Sequence, residues 1–416
     1  MIWRYSFLAL ALSLLNATAV GQDRWTTPLP AEDEQAVVRE LRAALRENDW
    51  LTAARIADSY EGQPHSGFSQ WSSFLYGWLG RHDLVREMRE KGLILSTVYC
   101  AEPGVHWADI VEVIGQVDRN ARVVILQERH SEVRHRLALL ELLAPLREQG
   151  FEYLAAEDFS GPPDAYEDAQ SPGTIPGFHS ARDPIYGQAI RLAIELGYRL
   201  IPYEANFPPP DSIPRAEWET WRARMMAENI QSRSLNQEPE ARVLVFAGEG
   251  HGRQTQTRQM ERANYSPMAR VLADLTGIDP VSIDQTGCER AIDEEGHQQV
   301  EEHLWASSVI VEGFAPGTYD IQIQHTIESF DRNGRAAWLT HTGRRPVEIP
   351  AGIRFGGEAL VIEARIAGES ETSTPIDRLY LSAGEDMPLM LLPGEYLLTV
   401  YRDGARESER FEMMVP

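Results

Sequence analysis

The chain has 416 residues and a formal net charge of −24 at pH 7, because 63 acidic residues outnumber 39 basic ones. Such an acidic surface repels phosphate backbones and anionic lipid headgroups, which argues against nucleic acid as a partner. The length exceeds what one hydrophobic core usually covers, so we expect two or three domains.

Residues 1–19 have the order of a secretory signal peptide. Arg4 precedes an apolar run from Phe7 to Leu15, and small residues end the segment at Ala19. The run is too short for a bilayer-spanning helix, and no later run is long enough for one. We therefore predict cleavage after Ala19 and an exported protein, periplasmic or extracellular, with no membrane span.

Two cysteines, Cys100 and Cys288, are present. An exported protein occupies a compartment that permits oxidation, so we predict a disulfide between them. The long loop that it closes would contribute roughly 4 to 5 kcal/mol in the chain-entropy model. Two buried free thiols are the alternative, since nothing nearby marks a reactive thiolate.

Residues 20–92 form a predicted helical segment. Apolar residues recur at helical spacing in Glu34–Asn48 and again in Trp50–Tyr60. We expect these helices to pack against the next domain, and partner binding is the functional alternative.

Residues 93–300 alternate short apolar runs with longer helical patterns, which is typical of βαβ units and a parallel sheet. The predicted strands are Leu93–Val98, Val123–Leu126, Tyr153–Ala156, Arg199–Pro202, Val243–Ala247 and Val281–Ile283. The predicted helices lie near Glu132–Gln149, Pro184–Leu196, Trp218–Ser232 and Thr257–Leu275. The fold class is therefore α/β, with a mostly parallel sheet flanked by helices.

Residues 304–416 change to short alternating segments such as Tyr319–Gln324 and Tyr396–Tyr401, each preceded by a Pro-Gly turn. This pattern predicts an antiparallel β-sandwich domain. A packing or oligomerisation role is the simplest expectation for it, and carbohydrate or surface binding is the alternative.

Four central strands run directly into an acidic residue: Glu128, Glu157, Glu204 and Glu249. Ligands bind at the carboxyl ends of the strands in an open parallel sheet, so these side chains are expected to converge on one edge. A single acid in such a place is usually a helix cap or a solvated turn, but four in succession favour a site.

Histidines accompany two of these acids, in Glu128-Arg129-His130 and Glu249-Gly250-His251. Two imidazoles and a carboxylate can hold a divalent metal, Zn or Mn, that activates water, or can act without metal as general base and oxyanion partner. His135, near the start of the next helix, is a further candidate, and the structural role common for a lone histidine is the alternative.

The Glu-x-His strand end followed by His135, the Ala-Ala-Glu157 strand and the late Gly-x-Gly-His251 resemble the erythromycin esterase, ChaN and TIKI/TraB superfamily over about Val123–Gly252. TIKI-like members carry two Gly-x-x-His motifs tied to metal-dependent peptidase activity, and esterase-like members use the first glutamate as base. The resemblance thus implies Glu128 as the base and His130, Glu157 and His251 as metal ligands. Gln127 replaces the glycine of the first motif and is a candidate to bind a substrate carbonyl.

ChaN-like members of the same superfamily are linked to haem binding. This implies a second possibility, a haem- or metal-binding protein without turnover. Tyrosines poised on an exposed apolar face would favour haem, and Tyr186 and Tyr203 are the candidates.

The helix with Arg222 and Asn229 resembles the Arg-Glu-x-x-Met-Ala-x-Asn helix of esterase-like relatives, except at Ala223. Arg222 and Asn229 are seven residues apart, so one helix face presents both, where they could steady an anionic intermediate. Core packing is the simpler explanation for Met225 and Met226 in this helix.

The long segment from Ser160 to Pro184 follows the Glu157 strand at the predicted active edge. Loops of this length are often lids or binding loops, so His179, Arg182 and Asp183 are candidates for substrate contact. A plain surface excursion is the alternative.

These patterns predict an exported hydrolase that cleaves an ester or amide of a small-molecule or peptide substrate. Glu128, His130, Glu157, Arg222 and His251 are the predicted catalytic residues. No serine or cysteine has the setting of a nucleophile elbow, so activation of water is expected. The candidate substrate-binding residues are Gln127, His135, His179, Glu204, Asn229 and Glu249.

Overall fold

The computed structural model describes residues 24–25, 27–94, 98–99, 108–115, 120–159, 162–166, 182–205, 208–289, 305–307, 318–325, 328–331, 333–353, 358–403 and 408–416. The predicted signal peptide, His179 and Cys100 lie outside these residues, as does the side chain of Cys288. The export signal and the disulfide therefore stay predictions. Among the described residues no helix is long and apolar enough to cross a membrane.

The N-terminal segment is helical, and its first two helices end within two residues of their predicted bounds. It contains β1 (Thr27–Pro28), α1 (Glu34–Arg46), α2 (Trp50–Ser59), β2 (Tyr60–Glu61), α3 (Gly67–Trp78) and α4 (His82–Glu90). Asp49 begins α2 by accepting a hydrogen bond from the Thr52 N–H, and Ser66 begins α3 in the same way. These side chains satisfy amide groups that would otherwise lack a partner.

The central region is the predicted α/β domain. Its strands are β3 (Val98–Tyr99), β4 (Ala108–Asp109), β5 (Val123–Glu128), β6 (Tyr153–Ala156), β7 (Arg199–Pro202), β8 (Val243–Gly248), β9 (Val281–Asp284), β10 (Cys288–Glu289), β11 (Trp305–Ser307) and β12 (Ile321–Gln324). Its helices are α5 (Ile110–Gly115), α6 (His135–Glu148), α7 (Pro184–Glu195), α8 (Trp218–Ile230), α9 (Arg258–Arg262) and α10 (Met268–Thr276).

The main sheet has the order β4-β11-β12-β9-β5-β8-β6-β7. The six strands from β12 to β7 are parallel. At one edge of the sheet, β11 pairs antiparallel with both β12 and β4. Alternate residues of β5 face opposite layers: Val124 and Leu126 pack in the core with α6 and α7, and Val123 and Ile125 pack with α8 and α10. Burial on both faces explains why these strands are continuous apolar runs.

The main sheet extends further along the chain than the sequence predicts. β12 lies in the segment predicted as the C-terminal domain, but it pairs in parallel with β9, with Ile321 opposite Ile283. Both isoleucines belong to the central core. Alternation indicates a strand but not the sheet that it joins, so the predicted boundary at residue 304 is wrong in the structure.

The predicted strand Leu93–Val98 is also corrected. Leu93 and Ile94 lie outside any strand and pack among the N-terminal helices. The observed strand, β3, pairs with β10 rather than with the main sheet. Apolar composition predicts that a segment is buried. Leu93 and Ile94 are buried, but in the core of the N-terminal helices rather than in the main sheet.

The C-terminal region forms separate antiparallel sheets. Its strands are β13 (Arg345–Val347), β14 (Leu360–Ile366), β15 (Asp377–Leu381), β16 (Leu389–Leu391), β17 (Gly394–Arg402) and β18 (Glu409–Val415). β15-β14-β17-β18 form one sheet and β13-β16 another, with one apolar core shared between them. The N-terminal helices pack against this region, where the Tyr380 hydroxyl donates to Asp58 at 2.7 Å. They also contact the central domain through the Arg89–Glu132 ion pair.

Candidate active site

Four neighbouring strands bring the predicted acids to one edge of the sheet. Glu128 ends β5, Glu157 follows β6, Glu204 follows β7, and Gly248 ends β8. Because β5, β8, β6 and β7 are adjacent and parallel, their carboxyl ends meet. The structure gathers Glu128, His130, Glu157, Glu204, Arg222 and His251 there.

His130 is paired with a buried carboxylate. Its Nδ1 donates to Glu128 Oε1 at 2.7 Å, and its side chain is 41% exposed. Burial alone would lower the pKa of His130, but the hydrogen bond and the charges of Glu128 and Glu157 raise it to about 10. His130 is therefore an imidazolium near neutral pH, able to give up a proton.

Glu128 is held by a second buried charge. Arg136 Nε lies 3.1 Å from Glu128 Oε2 and 3.0 Å from Asp183 Oδ2, and all three side chains are at most 1% exposed. Arg136 also donates to the His130 carbonyl at 3.2 Å. With these partners Glu128 has no access to water, so its role as general base is not supported and it instead orients His130.

Glu157 lies between the two imidazoles. One carboxylate oxygen, Oε2, accepts from the Gly248 N–H at 2.5 Å. The other, Oε1, accepts from Arg222 Nη2 at 2.5 Å and lies 3.9 Å from His130 Nε2 and 3.6 Å from His251 Nε2. Nε2 of His130 and Nε2 of His251 thus face the same oxygen atom, Glu157 Oε1.

Glu157 is a firmly ionised carboxylate. Burial alone would raise its pKa, but His251, His130, Arg222 and the Gly248 N–H lower it to about 2. The pKa of His251 itself lies below its usual value, because burial and Arg222 disfavour the imidazolium more than Glu157 favours it. Near neutral pH His251 is therefore neutral, and His130 and Arg222 supply the positive charge around Glu157.

Arg222, in α8, connects the side chains that follow β6, β7 and β8. It donates to both oxygens of Glu204, from Nε at 2.9 Å and from Nη2 at 2.5 Å. Its Nη1 lies 3.3 Å from His251 Nε2. Since a guanidinium only donates, this nitrogen of His251 carries the lone pair. The arrangement leaves His251 as a base beside a fixed cation.

Gly248 allows this close packing. A Cβ atom there would lie 2.8 Å from Glu157 Oε2 and 2.9 Å from His130 Nε2. Glycine at the end of a strand can let the backbone approach a ligand. The structure shows instead that it lets two site side chains approach the backbone.

Two predicted substrate-binding residues are buried and serve the scaffold. Gln127 is fully buried, and its Oε1 accepts from the N–H groups of Gly250 at 2.8 Å and Gly252 at 3.0 Å. His135 is 1% exposed, accepts from the Arg129 N–H at 2.9 Å and stacks on His325. Neither side chain faces a substrate, so both predictions are corrected.

Two further candidates lie at the margin of the site. Asn229 donates to the Tyr203 carbonyl at 3.1 Å and so positions the strand end that carries Glu204, rather than binding a substrate. Glu249 is about half exposed and forms an ion pair with Arg129 at 3.0 Å. The acid after β8 therefore stays on the rim.

A cleft of about 570 Å³ opens directly beside Arg222 and His251. That volume suits a small molecule or a few peptide residues. The cleft is lined by Ala216, Glu219, Thr220, Arg222, Glu249, His251, Thr257, Gln259, Met260, Ala263 and Tyr265.

Arg136 is the functional residue that sequence reasoning missed. It lies at the start of a leucine-rich helix, next to the histidine that drew attention, and it is 1% exposed. A basic residue within an apolar helix signals a buried ion pair, because an unpaired buried charge is very costly. Read in this way, Arg136 would have predicted an ion pair with one of the strand-end acids.

The predicted metal ligands do not fit a metal. The guanidinium of Arg222 lies against both Glu157 and His251, so a metal ion between these two side chains would meet a fixed positive charge. Within the described part of the chain no three His, Cys, Asp or Glu side chains are grouped to hold an ion.

Protein purified without a metal-affinity tag should therefore contain no stoichiometric Zn or Mn, because Arg222 already supplies the cation that Glu157 needs. Elemental analysis by inductively coupled plasma mass spectrometry checks this. One equivalent of metal that is lost in His251→Ala would contradict it.

The candidate residues for haem do not fit that group either. Tyr203 is fully buried and donates to the Phe246 carbonyl at 3.0 Å. Tyr186 is fully buried and packs against the Phe246 ring. Neither hydroxyl reaches an exposed apolar face where a porphyrin could dock.

Comparison with known proteins gives little guidance. No family model and no curated protein matches the sequence. Among solved structures, the type III effector HopBA1 is 12% identical, with 54% of this chain and 98% of that chain covered and a TM-score of 0.34. A structure described as bacterial protein toxins is 14% identical (62% and 56% covered, TM-score 0.33). RRSP, a MARTX toxin effector domain from Vibrio vulnificus CMCP6, is 12% identical (52% and 50%, TM-score 0.26). Similarities this slight carry no conclusion about activity.

Proposed function

We propose that the chain is a hydrolase that cleaves an ester or amide bond without a metal, with His251 as general base and His130 as general acid. The observation that carries the proposal is a pair of imidazoles facing one carboxylate oxygen, with pKa values displaced in opposite directions. Titratable groups whose environments separate their pKa values in this way are suited to acid and base roles.

The reaction follows from these protonation states. A water molecule displaces the long Arg222 Nη1 contact at His251 Nε2, which lies at 3.3 Å. His251 Nε2 then takes a proton from this water, whose oxygen attacks the substrate carbonyl carbon. Negative charge develops on the carbonyl oxygen, and the adjacent Arg222 guanidinium stabilises it. His130 Nε2 then gives its proton to the leaving alcohol or amine as the carbon–heteroatom bond breaks. Solvent restores both histidines to their starting states.

Glu128 and Glu157 act through these groups. Glu128 fixes the His130 ring through Nδ1, so that Nε2 faces the reaction. Glu157 keeps His130 protonated and holds Arg222 in place. Removing either carboxylate is thus expected to change the protonation of His130 as well as its orientation.

We also propose that the chain is an exported relative of the erythromycin esterase, ChaN and TIKI/TraB superfamily. The motif residues Glu128, His130, Glu157 and His251 meet at one sheet edge, which supports that relation. The predicted signal peptide supports export.

The pH dependence of kcat/KM tests the mechanism. Activity requires neutral His251, so it should fall as the pH drops through a value below 6.5. It also requires protonated His130, so it should fall as the pH rises through about 10. We expect a broad bell-shaped dependence of kcat/KM on pH. It is measured with a soluble ester between pH 4 and 11, after subtraction of the uncatalysed hydrolysis.

Variants of the two histidines show which side chain causes each fall in the pH profile. His251→Gln should lower kcat/KM by a factor of about 10² to 10⁴ and should remove its fall at acid pH. His130→Gln should remove the fall of kcat/KM at alkaline pH. If kcat/KM of His130→Gln still falls at alkaline pH, His130 is not the general acid. Failure of the folded wild type to cleave any ester or amide in a broad panel would overturn the proposed function.

A further inference from the structure

The cleft beside His251 contains one carboxylate that is not neutralised. Arg222 is engaged by Glu157 and Glu204, and Glu249 is engaged by Arg129. Glu219 is exposed, lines the same cleft and has no ion-pair partner among the described residues. The net charge available to a ligand in the cleft is therefore negative.

An aromatic ring shares the cleft with this carboxylate. Burial raises the pKa of the Tyr265 hydroxyl, and the charge of Glu219 raises it further, so the two side chains lie within electrostatic reach. Met260 and Ala263 add apolar surface to the same wall. A carboxylate beside an aromatic and apolar wall is a favourable setting for an ammonium group, which gains both ion pairing and cation–π attraction.

The cleft is also lined by the proposed base, His251. His251 is more than nine-tenths buried, and its Nδ1 has no hydrogen-bond partner in the described part of the chain. A ligand in the cleft therefore meets both His251 and the negatively charged Glu219.

We propose that Glu219 and Tyr265 bind an ammonium group of the substrate, and that the cleft thereby selects esters or amides that carry a cationic group near the bond to be cleaved. The selectivity for turnover rests on the proposed hydrolase function, whereas binding of the ammonium group does not. The high negative charge of the whole chain also attracts cations, but that attraction does not depend on one residue.

A binding experiment tests the proposal independently of catalysis. Choline and 3,3-dimethylbutan-1-ol have nearly the same shape and differ in the charge of the quaternary centre. We expect the wild-type chain to bind choline at least about tenfold more tightly in isothermal titration calorimetry, consistent with cation–π and ion-pair attraction at a partly exposed site. Equal affinities for the two probes would overturn the proposal.

Two isosteric variants separate the local site from the overall charge. Glu219→Gln should remove the preference for choline. Glu217→Gln removes an exposed carboxylate two residues away that does not line the cleft, and it should keep the preference. Loss of the preference in both variants, or in neither, would contradict a site at Glu219. Glu219 also lies in the first turn of α8, so unfolding curves of both variants are compared with wild type.

The acetate esters of the same two alcohols extend the test to turnover. We expect a kcat/KM ratio of at least about ten in favour of the cationic ester, falling towards one in Glu219→Gln. Hydrolysis of both esters with a ratio of one would reject the ammonium site and leave the hydrolase function standing. Choline binding without cleavage of either ester would leave the site standing and count against the hydrolase function.

Discussion

Gly248→Ala is expected to lower kcat at least about a hundredfold while changing the free energy of unfolding little. The added methyl group would lie within 3 Å of both Glu157 Oε2 and His130 Nε2, so both side chains must move away from the strand end. Displacing catalytic groups by about 1 Å can cost a factor of about 100 in rate. The measurement is kcat for the best ester substrate, beside a urea unfolding curve.

Gly115→Ala is the matched control, because a Cβ atom there meets nothing within 4 Å. It should retain wild-type kcat. Normal turnover by Gly248→Ala would show that the close approach of Glu157 and His130 to this backbone is not needed for the reaction.

Arg136→Met should lower the free energy of unfolding by about 3 to 5 kcal/mol, the usual cost of removing one partner from a buried ion pair. Two carboxylates, Glu128 and Asp183, would remain buried without their shared cation. Urea unfolding at pH 7 measures the change. Adding Glu128→Gln to Arg136→Met should restore part of the stability, because it removes one of the stranded charges.

Arg224→Met is the surface control for that experiment. Arg224 forms an exposed pair with Glu228 at 2.7 Å, and such pairs are worth at most about 1 kcal/mol. If Arg136→Met is no more destabilising than Arg224→Met, the buried charges are not the main stabilising contribution at this position.

The sequence predicts the sheet edge well because local signals determine it. Apolar runs of β-branched residues predict β5 and β8, and parallel pairing then brings Glu128 and His251 to the same edge. Gly150, Gly197 and Gly277 all have positive φ and follow the ends of α6, α7 and α10. The central part of the fold follows from residues that are close together in the chain.

Side-chain direction is where motif reasoning goes wrong. Adjacent residues in a strand face opposite sides, so Gln127 and Glu128 cannot both reach one ligand. Gln127 faces the Gly250–Gly252 turn, and Glu128 faces Arg136 on the other layer. The sequence does not predict the pairing of β12 with β9 either, because contacts between segments that are far apart in the chain leave no local pattern.

The Gln127 carboxamide also connects two segments that are far apart in the chain. Its one oxygen serves the N–H groups of Gly250 and Gly252, which flank His251. A Gln127→Gly variant lacks that acceptor, so its Gly250–Gly252 segment must find another conformation or other partners. Residue 127 and the turn around His251 therefore act as one structural unit, and a change of either one alone is expected to displace the proposed base.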